Sequence, residues 1–498
     1  MEQLVVRRRA FLRTSAVLAG AALTGLPARA AGLNVRQEWA DFKKGSHYAS
    51  LLIAIKKMQA NTNAADPGSW AYWANIHMNY CPHGLPYFLA WHRGYLYYFE
   101  QRLRTVCGDQ QLVLPYWNYF ANPNLPAEFT NASASNPLYT ARVNTDVRQA
   151  LDLTAFGPTV LQFPRGQSPA FEPILEDAPH NPIHNIIGGL MADMSSPLDP
   201  IFWLHHANID RLWAAWTAAG GGRAMPANTT AYWSDNFTYA SNLTLARSLT
   251  YSNRTSLNYY YANETMPTTL PALLQTGLDS APAGIVREGM LQAGAAQEGA
   301  AQDRAAQDRA APDRAIPAPT TAFSNTGARS IDAGTFATVG ATRIGLDDQS
   351  VNVPMPVPSE HQTAVTRIAR GLPSATVGVN VRFSALRLTL TGVEATRAGR
   401  AGGYYFNVWL TVAGVVPTAP GAGPARIKAG TLGAFQIAAS SHHAPGTVYW
   451  DITPYLRDVA PADLATLTVW FERVNGDNSP RGAVIGVGEA RLDLSSDA

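Results

Sequence analysis

Histidines crowd into two segments, and counting only the second of the adjacent pair His205-His206 they make two sets of three: His77, His83 and His92, then His180, His184 and His206. The first set lies in Trp73-Ala-Asn-Ile-His77-Met-Asn-Tyr-Cys81-Pro-His83 and Ala90-Trp-His92-Arg-Gly-Tyr-Leu, surrounded by aromatic residues. The second begins at Glu176-Asp-Ala-Pro-His180-Asn-Pro-Ile-His184-Asn185 and resumes at Asp199-Pro-Ile-Phe202-Trp-Leu-His205-His206-Ala-Asn-Ile-Asp210-Arg. A lone histidine on an apolar face is ordinarily a core residue. Six in two groups point to a shared task. His180 and His184 are four apart, so on a helix both project from one face, and His206 opens the next helical stretch, from which it can converge on them. Neutral imidazole suits copper, zinc, iron or nickel, and geometry must choose among them. Position 181 is Asn, so the zinc-protease pattern His-Glu-x-x-His is absent. A two-His-one-carboxylate iron triad does not account for six imidazoles. Two sets of three neutral nitrogens suit a pair of Cu(I) ions, each with an open face where O2 can bridge them.

The elements that must carry these side chains come from periodicity. Helical spacing over Trp39–Gln59, Gly94–Val106 and His205–Ala219 predicts a mostly helical domain with long loops over residues 31–284. Residues 295–314 repeat with a period of five, ending Ala-Ala-Pro-Asp-Arg, which matches neither helix nor strand and marks residues 285–320 as a low-complexity linker. Beyond it, Val381–Thr391, Tyr404–Ala413, Thr447–Ile452 and Thr466–Arg473 alternate between Gly and Pro turns, predicting a C-terminal all-β sandwich or barrel over 321–498. At 498 residues, two domains are the default. With 46% hydrophobic and 15% charged residues, disorder, collagen and coiled coil are excluded for the whole. The balance of 38 Lys and Arg against 36 Asp and Glu gives no footprint for nucleic acid. Two cysteines, Cys81 and Cys107, make no disulfide framework. Arg8-Arg9 followed by an apolar run from Ala16 to Leu26 and Ala28-Arg29-Ala30 reads as a twin-arginine export signal over residues 1–30. The apolar run is too short for a membrane span, and the twin-arginine signal gives the expectation of a bacterial protein, periplasmic or secreted and free of the membrane once mature.

The histidine segments resemble the CuA and CuB motifs of the type-3 copper superfamily of tyrosinases, catechol oxidases and hemocyanins. The match rests on Trp-His92-Arg-x-Tyr-Leu and on Asp199-Pro-x-Phe-Trp-Leu-His-His206-x-Asn-x-Asp210-Arg. Pro115-Tyr116-Trp117-Asn118 also resembles the family's Pro-Tyr-Trp-Asp, with Asn in place of Asp. The resemblance covers about residues 33–284 and implies a multidomain chain whose helical N-terminal domain has a four-helix-bundle dicopper core. It implies two copper ions with O2 as co-substrate, CuA held by His77, His83 and His92, with His47 as the alternative first ligand, and CuB held by His180, His184 and His206. It further implies a thioether between Cys81 and His83. Glu176 and Asn181 are placed where similar enzymes hold a water that deprotonates the phenol. Asn185, Met194 and Phe202 are expected along the substrate pocket, and His205 beside the ligands. Asp210, one turn beyond His206, either orients a ligand ring or pairs with an arginine.

The implied function is a tyrosinase-like polyphenol oxidase that hydroxylates monophenols to o-diphenols and oxidises these to o-quinones. The alternatives are a catechol or o-aminophenol oxidase without hydroxylation, a hemocyanin-like O2 binder, and a copper-storing protein. Phenolic small molecules are the expected partners, with a homo-oligomer through the C-terminal domain and a copper-loading partner as further expectations. The C-terminal domain is expected to act as a lid, with Tyr404-Tyr405-Phe406 as its aromatic plug and with tryptic cleavage at Arg304, Arg309 or Arg314.

Overall fold

The computed structural model describes residues 33–272, 322–324, 335–372, 374–375, 382–412, 426–440, 445–457 and 459–495. The expected export signal and the whole of the expected linker, with the arginines at 304, 309 and 314, lie outside these residues.

The N-terminal part begins with strand β1 (Asn34–Arg36) and helices α1 (Trp39–Phe42), α2 (His47–Ala60), α3 (Trp70–Tyr80) and α4 (Phe88–Cys107). Helices α5 (Ala127–Thr130), α6 (Phe171–Leu175), α7 (Asn181–Ile187) and α8 (Ile201–Ala218) follow. Strands β2 (Asn236–Ala240) and β3 (Leu243–Ala246) form a hairpin, and β4 (Tyr259–Tyr261) pairs in parallel with β1. The single helix expected over Trp39–Gln59 is two, because Gly45 and its neighbours form a turn between α1 and α2.

Asp199 starts α8: its carboxylate accepts from the Ile201 amide, and Pro200, which has no amide to satisfy, stands next to it. Arg142 holds that carboxylate at 2.6 Å. Helix α8 runs until Gly220-Gly221-Gly222, all at positive φ, end it. Every residue from Ile201 to Trp216 is buried, the pattern of a helix enclosed on all sides. Arg93 on α4 donates to Asp210 on α8 at 2.6 Å, and the hydroxyls of Tyr259 and Tyr261 donate to the other Asp210 oxygen. This fully paired buried charge locks the two long helices together.

The C-terminal part contains β5 (Ala322–Ser324), β6 (Thr335–Leu346), β7 (Val351–Pro354), helix α9 (Ser359–Ala369), β8 (Ser374–Ala375), β9 (Arg382–Phe383), β10 (Ala385–Thr391) and β11 (Glu394–Ala395). Helix α10 (Arg397–Arg400), β12 (Tyr404–Thr411), β13 (Arg426–Leu432), helix α11 (Ala434–Ser440), β14 (Thr447–Asp451), β15 (Thr468–Asn475) and β16 (Ile485–Ser495) complete it. One antiparallel sheet runs β14-β10-β16-β6-β5 and another β13-β12-β15-β7. Leu388, Leu390 and Leu492 from the first share one core with Phe406, Val408, Val469 and Phe471 from the second, which is the sandwich arrangement. The expectation of an all-β domain is corrected by α9, α10 and α11.

Candidate metal centre

His77 is on α3, His92 on α4, His180 immediately precedes α7, His184 lies on it, and His205 and His206 are on α8. His83 sits in the turn between α3 and α4. Two buried groups result, His77 with Cys81, His83 and His92, and His180 with His184, His205 and His206, the donor atoms within each lying within 4.8 Å of one another. The groups abut: the His92 and His206 rings stack with centroids 4.3 Å apart, and those of His83 and His180 at 5.7 Å.

Each ring is held from behind. Nδ1 of His77 donates to the Met194 carbonyl at 2.8 Å, that of His92 to the Phe88 carbonyl at 2.8 Å, and that of His184 to the Met191 carbonyl at 2.7 Å. A carbonyl can only accept, so Nδ1 carries the proton and the Nε2 lone pair is left to face inward. The Asn181 side-chain oxygen does the same for His180 at 2.9 Å. Nε2 of His206 then lies 3.3 Å from Nε2 of both His180 and His184. Imidazole nitrogens bound at about 2.0 Å around one tetrahedral ion stand roughly 3.3 Å apart. Lone pairs aimed at one another at that spacing repel unless a cation lies between them.

Burial, with repulsion from neighbouring rings, holds His92, His180, His205 and His206 well below the ordinary imidazole range, and burial pushes His184 down to about 3. The rings are therefore neutral donors, and a donor set of buried nitrogens without carboxylates suits copper. Cys81 Sγ is 3.4 Å from Nε2 of His92 and 3.6 Å from that of His83, and burial pushes its thiol up.

The remaining expected residues sort differently. Phe202 packs on His206 with centroids at 4.1 Å and reaches His77 at 5.1 Å, so it serves both groups. Met194, expected along the substrate pocket, is buried, and its carbonyl holds His77 of the first group. His205 stacks on His180 at 5.3 Å, and neither of its ring nitrogens has a hydrogen-bond partner, so it packs against a ligand ring without orienting it. Asp210 binds Arg93 and two tyrosines, which settles its alternatives in favour of the ion pair. His47 Nδ1 faces Asp109 at 2.6 Å and belongs to neither group, which removes it as a first ligand. Glu176 is buried, with one oxygen accepting from the Gly84 amide at 2.6 Å and the other from Arg165 at 2.5 Å.

The plug expectation is also corrected. Tyr404 and Phe406 point into the C-terminal core, and Tyr405, on the opposite face of β12, donates to the Gln149 carbonyl. The ring over the centre is Phe435 of α11, stacked on His184 with centroids at 4.0 Å and planes 16° apart, and 5.1 Å from His83. Asn185, expected to line the substrate approach, is occupied by the same helix: its side chain accepts from the Phe435 amide and donates to Gln436. No pattern in the sequence marks Phe435, because its importance depends on a contact with a ring 251 positions earlier in the chain.

The family profile described as the common central domain of tyrosinase matches residues 67–148 and 123–219, a span that includes every candidate ligand. A tyrosinase of Hahella sp. (strain CCB-MM4) is 35% identical over 182 residues, covering 29% of this chain and 39% of that protein. The chloroplastic catechol oxidase B of Solanum tuberosum is 28% identical over 254 residues, covering 39% of this chain and 43% of the relative. The chain thus spans less than half the length of these relatives. The structure of latent apple tyrosinase aligns with 93% of this chain and 98% of its own, at 17% identity and a TM-score of 0.46.

Proposed function

We propose, from the match of residues 67–219 to the central domain of tyrosinase, that this chain is a type-3 copper polyphenol oxidase that uses O2 to hydroxylate monophenols and to oxidise o-diphenols to o-quinones. The observation that carries the reading is the pair of abutting groups of buried, neutral imidazoles whose Nε2 atoms converge. Copper ions held by His77, His83 and His92 and by His180, His184 and His206 would supply the O2 chemistry. The rest is the work of the chain's own groups. The carbonyls of Met194, Phe88 and Met191 and the amide oxygen of Asn181 fix four rings before any ligand arrives, so little reorganisation is left for the reaction.

The phenolic proton has to leave as the substrate binds. We assign its removal to a water held by Glu176 and Asn181. Burial raises the Glu176 carboxyl from its ordinary value, and the neighbouring Arg165 opposes that rise. The Asn181 oxygen accepts from His180, which orients the side chain so that its amide group can meet that water. A thioether between Cys81 and His83 would fix the one cluster ring that sits in a turn. The C-terminal domain is assigned the role of a lid, because Phe435 occupies the face of His184 that an aromatic substrate would use.

The copper-loaded chain carrying Phe435→Ala, assayed on L-tyrosine and L-DOPA, tests the reading. Colour from both substrates is expected. Colour from L-DOPA alone would make the chain a catechol oxidase, and reversible O2 uptake without product would make it an oxygen binder.

A further inference from the structure

We propose that Arg165 is a positioning residue for the first histidine group: by holding one oxygen of Glu176, it sets the other to grip the amide that follows His83. Arg165 lies in the turn before α6, its side chain 28% exposed, while that of Glu176 is 3% exposed. The Arg165 amide donates to Glu172 at 3.1 Å, and its guanidinium reaches Glu176 one helical turn further on. Glu172 in turn accepts from the Leu89 amide at the start of α4. Arg165 is thus fastened at backbone and side chain to two acids of one segment, a geometry that leaves its guanidinium little freedom.

The second oxygen of Glu176 accepts from the Gly84 amide at 2.6 Å. Gly84 has φ of +70°, and its turn closes through the Leu85 amide and the Pro82 carbonyl. His77 and His92 are carried on helices, whereas His83 is carried by this turn. Glu176 lies four residues before His180, and Gly84 one residue after His83. The Arg165–Glu176–Gly84 chain therefore joins the turn that carries His83 of one group to the segment that leads into the other. Without Arg165 the Glu176 carboxylate loses its charged partner and its fixed rotamer, and the turn keeps its fold but loses its hold on His83.

The inference rests on the reading of His83 as a ligand. Its test needs no phenol turnover, so its failure and that of the oxidase reading can be told apart. Hydrogen exchange at Gly84 and the rate at which a chelator withdraws copper are compared in the copper-loaded wild type, Arg165→Met and Arg165→Lys. In Arg165→Met, Gly84 exchange and the loss of one of the two coppers should each quicken by about ten- to a hundredfold, the factor a charge-assisted hydrogen bond carries. Amides of α8 should be unchanged, and Arg165→Lys should recover part of the effect. Unchanged Gly84 exchange would overturn the proposal. So would an equal rise at Gly84 and along α8, which would make Arg165 a general stabiliser. Should Arg165→Met fail to fold, Arg165→Lys alone decides: Gly84 exchange faster than wild type while α8 holds supports the clamp, and wild-type exchange overturns it.

Discussion

With three imidazoles assigned to each ion, removing one takes away a third of its donors, so single substitutions should act in whole metal equivalents. His83→Ala and His184→Ala are each expected to lose about one copper per chain, one from each group, as measured by metal analysis of the purified protein. Zinc in place of copper in the wild type would contradict the donor argument. The same rings set an acid limit. His92, His180, His184, His205 and His206 are held neutral in the fold, whereas the unfolded chain protonates them near pH 6.5. Below that pH unfolding takes up protons, so stability is present above about 6.5 and falls as the pH drops. Each ring is worth about 1.4 kcal/mol per pH unit, and a domain's usual 5–15 kcal/mol would be consumed within roughly two units. Copper-free protein should therefore lose its near-UV circular dichroism between about pH 6.5 and 4.5, and copper-loaded protein only at lower pH, because a metal-bound nitrogen cannot take a proton. Equal acid resistance of the two forms would show that the rings are not held neutral. Glu176→Gln belongs to this scale too. It should slow monophenol hydroxylation about 10²- to 10⁴-fold, with a smaller effect on the more acidic catechols, and equal losses on both substrates would remove the general-base assignment.

Among the elements, α11 has the largest functional consequence for its length. It is seven residues long, and its first turn presents Phe435 to His184 and Gln436 to Asn185. Gly433, just before it, lies so close to the Asn185 side chain that an added Cβ would stand 2.4 Å from its oxygen. Phe435→Ala should therefore raise turnover of bulky phenols by the full chain while leaving copper content unchanged, read by side-by-side rates and metal analysis. No gain in rate would mean that Phe435 is packing and that the entrance lies elsewhere. Helices α4 and α8 show the opposite character. Their Arg93–Asp210 pair is buried with all its partners, and removing one member leaves a buried charge unpaired. Asp210→Ala is expected to cost about 3–5 kcal/mol of stability, seen in denaturant melts, without any direct loss of a metal ligand.

At the scale of the whole molecule, the two parts are joined by far more than the plug. The Gly403 amide donates to the Asn185 carbonyl at 2.6 Å and the Gly189 amide to the Ala401 carbonyl at 2.8 Å. Thr431 donates to Asp177, and Lys428 pairs with Asp152 at 3.2 Å. These bonds do not depend on the chain being continuous. Trypsin cleavage between residues 287 and 314 is thus expected to leave two polypeptides that co-elute in gel filtration and stay slow on bulky phenols. Gly402 has φ of +72°, and an added Cβ would approach the Ala192 Cβ and the Gly188 Cα at 2.9 Å. Gly402→Val should let the cut pieces separate and bring the N-terminal piece to full rate. Spontaneous separation of the cut wild type would show that the linker, and not the docked surface, holds the lid.

The two histidine groups were legible in the sequence because their signal is local, dense segments whose spacings a helix or a turn imposes. The strand pattern of the C-terminal part was legible for the same reason, since alternation is a property of neighbours. What the sequence left open was decided by contacts between distant segments. The two readings of Asp210 could be separated only once α4 brought Arg93 beside it. Met194 serves the first histidine group because its turn folds back onto α3, which no local spacing encodes. Phe435, and not Tyr404-Tyr405-Phe406, covers the centre because the pleat of β12 turns two of those rings into the sandwich, while the docking of two domains carries α11 to His184. Spacing fixes which donors share a face. Which face meets which partner depends on packing between elements far apart in the chain, and only the tertiary structure sets that.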